Sequence, residues 1–293
     1  MTPAKPSLKA ALAAGKFVAA PGLHDMITAV VANRVGLEFA YASGFWMTAS
    51  THGLPDAGIA TYSQMVDRVA TLCRVSNAAI IADADTGYGG LLNVHHTVRG
   101  YEDAGVVAVQ IEDQEFPKKC GHTPFKRVVP TIDMVEKIKV AIEARRSPET
   151  LIIARTDARQ SEGFDGAVQR GLAFAEAGAD VVFLEALESE AEMREACKRI
   201  RAPMMANMAD GGKTPIRTAK ELEEMGFAMA IYPSMTGLAA AQAAANALAA
   251  FQQFGTSQTA AQPLFDFAEF NQLIGFPEVW EFERRWARDR KAG

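Results

Sequence analysis

The chain has 293 residues, 49% of them hydrophobic and 22% charged, and a net charge of −5. That composition excludes an intrinsically disordered chain, and the lack of any long basic run argues against nucleic acid or an anionic membrane as partner. Three cysteines, Cys73, Cys120 and Cys197, are too few and too odd for a disulfide framework and point to the reducing cytoplasm.

Read in chain order, eight short apolar runs have the length of buried strands: 17–20, 37–41, 78–82, 106–111, 151–154, 180–184, 203–206 and 227–232. Four of them follow a polar helical stretch that ends in glycine, at Gly36, Gly105, Gly178 and Gly226. Glycine suits the left-handed residue just past a helix. Amphipathic stretches of helical length lie between the runs, for example 61–75, 131–144, 164–177 and 191–200, with Thr131 and Asp133 as a start signal. Near-continuous apolar strands alternating with helices predict an α/β fold with a parallel sheet. Eight units favour a single (β/α)8 TIM-type barrel over an open doubly wound sheet, and no glycine-rich dinucleotide fingerprint follows any strand. The barrel is assigned to residues 1–254 and a helical tail to 255–293. Within this stretch 255–263 reads as a loop and 270–290 as a final helix. The Ala-rich segment 239–250 predicts close helix packing. No segment has the length or character of a membrane span or secretory signal; the apolar stretch 238–251 is broken by glutamines and an asparagine.

Active sites of such barrels lie at the C-terminal ends of the strands. The residues following the runs are Ser43-Gly44, Asp83-Ala84-Asp85, Glu112-Asp113, Arg155-Thr156-Asp157, Glu185 and Asn207. Asp83 and Asp85 are two apart, so they share one side of an extended segment, with Glu112 on the next strand. Crowded like charges are costly unless a cation neutralises them, and an oxygen-only set suits Mg²⁺, with Mn²⁺ as a substitute. The alternative is a group of solvated loop carboxylates. No Cys/His set with zinc spacing is present. A second group, Lys118-Lys119-Cys120-Gly121-His122, surrounds one thiol with cations, which lowers a thiol pKa and equips it for proton transfer; its alternative is an exposed basic loop. Cys73 and Cys197 fall in helical patterns and read as packed thiols. Arg155 either presents a fork to a substrate carboxylate or pairs with Glu185 or Asp157. The glycines around Tyr88 are a weak phosphate-cradle signal, His95 and His96 read as solvated, and His24 and His52 lie near rim loops.

The runs Asp83–Gly89, Ile111–Gln114, Lys118–His122 and Ile153–Ala158 together resemble the isocitrate lyase/phosphoenolpyruvate mutase superfamily. The likeness extends from about residue 22 to 233 and continues in the tail. The Lys118–His122 loop is similar to that of the lyase branch, where the cysteine is the proton donor; phosphonate mutases lack it. The resemblance implies a Mg²⁺-dependent retro-aldol carbon–carbon cleavage of a branched 2-hydroxy acid to a 2-oxo acid. It implies Ser43 and Gly44 as carboxylate binders and Asp83 and Asp85 as metal residues, with Asp56 and Glu112 behind them. Lys118, Cys120, Gly121 and His122 become a gating catalytic loop, and Arg155, Glu185 and Asn207 substrate contacts. Asp56 and Glu112 are the candidates for the base. It also implies helix-swapped dimers and tetramers, although the tail could instead cover its own barrel.

Two departures bear on the substrate. Phe45-Trp46 stands where many relatives carry small residues, reshaping the pocket around Phe45. The segment 207–215 is closer to dimethylmalate lyases than to isocitrate lyase proper, so 2-alkylated malates or 2-methylisocitrate are the expected substrates. Oxaloacetate hydrolysis or decarboxylation, phosphonopyruvate chemistry and a non-catalytic barrel are the alternatives.

Overall fold

A computed structural model describes residues 5–121, 126–258 and 262–287. Its elements begin with α1 (Leu8–Ala13), β1 (Val18–Pro21), α2 (Met26–Val35), β2 (Phe39–Ala42), α3 (Gly44–His52), α4 (Tyr62–Val75) and β3 (Ala79–Asp83). The middle of the chain forms α5 (Leu91–Ala104), β4 (Ala108–Glu112), α6 (Thr131–Ala144), β5 (Leu151–Thr156), α7 (Arg159–Glu176) and β6 (Val181–Leu184). Then come α8 (Glu190–Arg199), β7 (Met204–Asn207), α9 (Ala219–Met225), β8 (Met229–Tyr232), α10 (Met235–Phe254), α11 (Phe267–Leu273) and α12 (Phe276–Trp286). All eight strands appear where the apolar runs predict them.

The strands are parallel and ordered β1-β8-β7-β6-β5-β4-β3-β2. The ring is nearly closed, and its β1–β2 seam is one parallel bridge between Gly22 and Tyr41, with Leu23 N donating to Tyr41 O at 2.9 Å. The seam demands glycine: a Cβ on Gly22 would lie 2.3 Å from Pro233 O. The four glycines that end helical stretches all adopt positive φ, between 71° and 104°, as the junction pattern requires.

Burial separates each strand into two faces. Val18, Phe39, Tyr41, Ile81, Ile153, Phe183, Met205 and Ile231 fill the barrel interior, and Leu8 of α1 closes its N-terminal end. Their neighbours, such as Ala40, Ile80, Val109, Ile152, Val182 and Met204, pack under the helices. This parity sends every second residue into the mouth, which is how a barrel builds its site.

Three details differ from expectation. Thr131 is the first helical residue of α6 and makes no cap; Pro130 precedes it, and Asp133 alone supplies the first-turn charge. Helix α7 starts five residues early because a short turn joins it across Gly163, at φ 77° and ψ 179°, so the amphipathic pattern registered only the part beyond the kink. The single tail helix is two, α11 and α12, divided by Gly275 at φ 91°; residues 288–290 of the expected helix lie outside the described residues. No helix among the described residues is long and apolar enough to cross a membrane.

The C-terminal helices lie mostly outside the core. Only Gly237 and Ala250 of α10 are buried, and no residue of α11 or α12 is. Helix α11 is tied to α2 by Arg34–Glu269 at 2.7 Å, while α12 exposes Val279, Trp280, Phe282 and Trp286.

Leu8, with no exposed surface, is the plug of the barrel's lower end. Leu8→Ala is expected to lower unfolding free energy by about 2–5 kcal/mol, measured by urea denaturation at unchanged m-value.

Candidate active site

Alternate residues at the ends of β2 to β7 point into one cavity of about 260 Å³, lined by Ser43, Asp83, Glu112, Arg155, Glu185 and Asn207 and roofed by Lys118, Cys120 and Gly121. Every predicted site residue within the described chain therefore converges on one mouth, directly or, for Asp85, through its neighbours. His122 lies outside the described residues.

The acidic half of the mouth is built around Gly44. Its amide donates to Asp83 Oδ2 at 3.3 Å, and a Cβ there would stand 3.0 Å from both Asp83 Oδ2 and Asp85 Oδ1. Both carboxylates thus press close on residue 44, where a side chain would crowd them. Asp83 Oδ1 accepts from Asp85 N at 3.0 Å and from Gln110 Nε2 at 3.4 Å, and Gln110 is in turn oriented by Tyr41. Lys118 Nζ bridges Asp56 Oδ1 and Asp85 Oδ1, each at 2.6 Å. The cation that crowded acids require is thus, in part, a lysine from the lid.

The other half is centred on Arg155. Its Nε and Nη2 donate to Asp157 at 2.8 and 3.0 Å, Nε stands 3.3 Å from Glu112, and Nη2 stands 3.2 Å from Glu185. The paired alternative is realised: that edge of the guanidinium is committed inside the protein and is not an open fork. Asn207 Nδ2 donates to Glu185 Oε2 at 3.0 Å. Glu112 Oε1 is buried with no hydrogen-bond partner among the described residues.

These contacts set the charge states. Burial pushes Asp85 up to about 7, aided by Asp83 and Asp56 and opposed by Lys118. Burial also raises Glu112 well above the carboxylate range despite Arg155. Burial would lift Asp157 as well, but Arg155 and Lys126 outweigh it and hold the carboxyl at about 2. Lys118 is driven well up: its desolvation favours the neutral amine, yet Asp85, Asp56 and Glu112 prevail. Six buried carboxyls (Asp56, Asp83, Asp85, Glu112, Asp157, Glu185) face three buried cations (Lys118, Lys126, Arg155).

The lid is seated on the second half. A Cβ on Gly121 would stand 2.3 Å from Arg155 Nη2 and 2.8 Å from Glu185 Cγ, so only glycine permits the approach. Gln114 grips the Lys119 backbone at both N (3.0 Å) and O (2.8 Å), and Lys126 Nζ donates to Gly121 O and to Asp157, the latter at 2.5 Å. Lys118 faces the acid pair, so its charge serves that pair first; Lys119 is exposed. Cys73 and Cys197 are pushed up by burial to about 11 and about 12, as inert thiols are.

The remaining candidates fall elsewhere. The glycine turn around Tyr88 is packed against α5 through a Tyr88–Tyr101 hydroxyl contact of 2.9 Å, not opened as a cradle. His96 is exposed and His95 half-buried. His24 Nδ1 lies 3.2 Å from Thr236 Oγ1, and His52 ends α3. Sequence reasoning missed Tyr41, Gln110 and Lys126 and treated Asp157 only as a possible partner. Strand parity, counted inward from Glu112 and Ser43, finds the first two; Lys126 sits on the lid, where no period applies.

Comparison with known proteins follows from this geometry. The family model described as phosphoenolpyruvate phosphomutase matches residues 8–252. The 2,3-dimethylmalate lyase of Eubacterium barkeri is 42% identical over 95% of this chain and 96% of its own, and the 2-methylisocitrate lyase of Aeropyrum pernix is 43% identical over 94% and 88%. Among solved structures, oxaloacetate acetylhydrolase with 3,3-difluorooxalacetate superposes with a TM-score of 0.90 at 30% identity, covering 95% of each chain. Phosphonopyruvate hydrolase with oxalate and Mg²⁺ superposes with a TM-score of 0.86 at 28% identity, covering 96% of this chain and 98% of its own. The chain belongs to the phosphoenolpyruvate mutase/isocitrate lyase superfamily.

Proposed function

We propose that this protein is a Mg²⁺-dependent carbon–carbon lyase that splits a branched 2-hydroxy dicarboxylate into a 2-oxo acid, pyruvate for a 2-methylated substrate, and a carboxylic acid. The observation that carries this reading is the placement of Cys120 in the same cavity as the Asp83–Asp85 pair, on a lid seated against Arg155 and Glu185. Two relatives at 42% and 43% identity, matched over 96% and 88% of their own length, are named as lyases of this kind.

The donor set fits a divalent ion. The Asp83 and Asp85 carboxylates come together beside Gly44, and Glu112 keeps a buried oxygen without a hydrogen bond among the described residues. Those residues contain no group of three or more His, Cys, Asp or Glu side chains placed to hold a metal. Asp83 and Asp85 with waters and substrate oxygens is the coordination Mg²⁺ prefers, and Mn²⁺ shares it. When bound, the ion acts as a Lewis acid on a 2-hydroxyl and its carboxylate.

The chain's own groups supply the rest. Gly44 N and Ser43 hold the substrate carboxylate beside the acid pair. Of the two candidate bases, Asp56 is taken up by Lys118 at 2.6 Å, whereas Glu112 Oε1 has no hydrogen-bond partner among the described residues. With a cation beside it to displace its own proton, Glu112 is the better placed to accept that of the hydroxyl. Arg155 holds the departing carboxylate, on which negative charge accumulates as the C2–C3 bond breaks, while Glu185 positions the guanidinium and Asn207. The Cys120 thiol then gives its proton to the departing carbon. Lys118 and Gly121 keep the lid down, so that water is kept from the carbanion. An odd, sparse cysteine set supports a cytoplasmic location.

We also read residues 1–254 as the catalytic unit and 255–293 as an arm toward a neighbouring subunit, within a dimer of dimers. The support is the apolar stripe of α12, whose Val279, Trp280, Phe282 and Trp286 are all exposed. Light scattering is expected to give four times the 31.5 kDa chain mass; a monomer at micromolar concentration contradicts the assembly.

Cys120→Ser should lower kcat by about 10²–10⁴, the range for a positioned general acid, with KM little changed. Pyruvate release from 2,3-dimethylmalate in the presence of Mg²⁺ measures it. A loss under about tenfold removes Cys120 from the role.

A further inference from the structure

The pocket has two layers of opposite character. At its floor, Asp83, Glu112, Arg155 and Asn207 are each no more than 8% exposed. At its rim stand Phe45 and Leu238, 37% and 46% exposed, with half-buried Trp46 between them and Pro233 behind. The floor holds the 2-hydroxy acid end of a substrate, so the rim meets whatever substituent C3 carries.

The rim is a built surface. A Cβ on Gly237 would stand 2.3 Å from Trp46 Cε3, so the indole lies directly on the first turn of α10, where only glycine leaves room. Phe45 meets Trp46 edge to face, with centroids 5.2 Å apart at 69°. Trp46 is thereby held between two elements that are distant in sequence, α3 and α10. Two neighbouring aromatic rings in fixed mutual geometry form a rigid apolar wall.

The aromatic wall itself, among the described residues, carries no cation to meet a third carboxylate. Among the described lining residues, Lys118 is paired to Asp56 and Asp85, and Arg155 to Asp157, Glu112 and Glu185. Lys119 is held on the lid through its backbone by Gln114, with its side chain exposed. Asp210 adds a further negative charge to the same lining. A carboxymethyl arm directed there would lose water and meet like charge, whereas a methyl group would gain contact.

Building on the lyase reading, we propose that Phe45, Trp46, Pro233 and Leu238 form an alkyl-selective subsite. The substrate's C3 substituent is then a small alkyl group, as in 2,3-dimethylmalate, and not the carboxymethyl arm of 2-methylisocitrate.

Three acids that would all yield pyruvate test this: 2,3-dimethylmalate, 2-methylmalate and 2-methylisocitrate, with propionate, acetate and succinate as the respective second products. Binding is measured calorimetrically with Mg²⁺ on the full-length Cys120→Ser protein, where turnover does not mask it. The expected order is 2,3-dimethylmalate over 2-methylmalate by about tenfold or more, the worth of one buried methyl, with 2-methylisocitrate weakest. Adding Trp46→Ala should shrink the methyl preference to within about threefold. Leu238→Lys, a change at an exposed position that leaves folding intact, should raise 2-methylisocitrate affinity relative to 2,3-dimethylmalate. Tightest binding of 2-methylisocitrate to the parent protein, or preferences that ignore both changes, overturns the subsite. Pyruvate release by the unmodified protein is scored separately. Cleavage with the wrong preference sinks the subsite alone, and the expected binding order without cleavage sinks the lyase reading alone.

Discussion

A shortage of positive charge at the barrel mouth governs the rest of this structure. Six buried carboxyls meet three buried cations, and each of those cations is already shared. Lys118 spans two acids, Lys126 joins Asp157 to the lid, and Arg155 touches three carboxylates. Such an arrangement is costly unless the acids bind protons or a further cation arrives. Burial pushes the Asp85 and Glu112 carboxyls up, in the direction of the proton alternative. An anionic substrate adds to the excess, so a divalent ion is the simplest way for the pocket to accept one.

The mouth also holds backbone strain. Among the described residues three non-glycine positions have positive φ, Asp85 at 51°, Tyr88 at 58° and Ala186 at 61°, and all three follow strands that end at the site. Such residues cost about 1–3 kcal/mol each and persist where surroundings over-determine them. The surroundings are visible. Asp85 O accepts from Glu112 N at 2.9 Å, Tyr88 is anchored by Tyr101, and Ala186 N donates to Glu185 Oε1 at 2.7 Å. The strain therefore aims the same carboxylates whose charges are in excess.

The barrel was legible because its strands are buried on both faces and its helices end in glycine, so Gly36, Gly105, Gly178 and Gly226 marked the joints that positive φ then required. The floor of the site was legible in part: Asp83 at the end of β3 lines the cavity as strand parity requires, whereas Asp85 comes beside it through a left-handed turn at φ 51° and not by parity. What escaped lies where periodicity stops. The pairing of Arg155 with Asp157 or Glu185 was open in the sequence, but its contact with Glu112 on the neighbouring strand was not. Lys126 acts from a loop, and the seat of Trp46 depends on Gly237, nearly two hundred positions away. The kink at Gly163 hid the first turn of α7 because a helical period does not survive a residue at φ 77°. Long-range pairing, more than local propensity, is what a single sequence conceals.

The claim that a divalent ion must offset the acidic excess before an anion can enter is tested most directly with oxalate, a planar dianion that cannot be cleaved as the substrate is. Oxalate affinity should be measured calorimetrically with and without saturating Mg²⁺, and Mg²⁺ affinity with and without oxalate. The account predicts that each raises the affinity for the other by the same factor, about tenfold or more, as linkage demands. Oxalate binding of equal strength in metal-free buffer would contradict it.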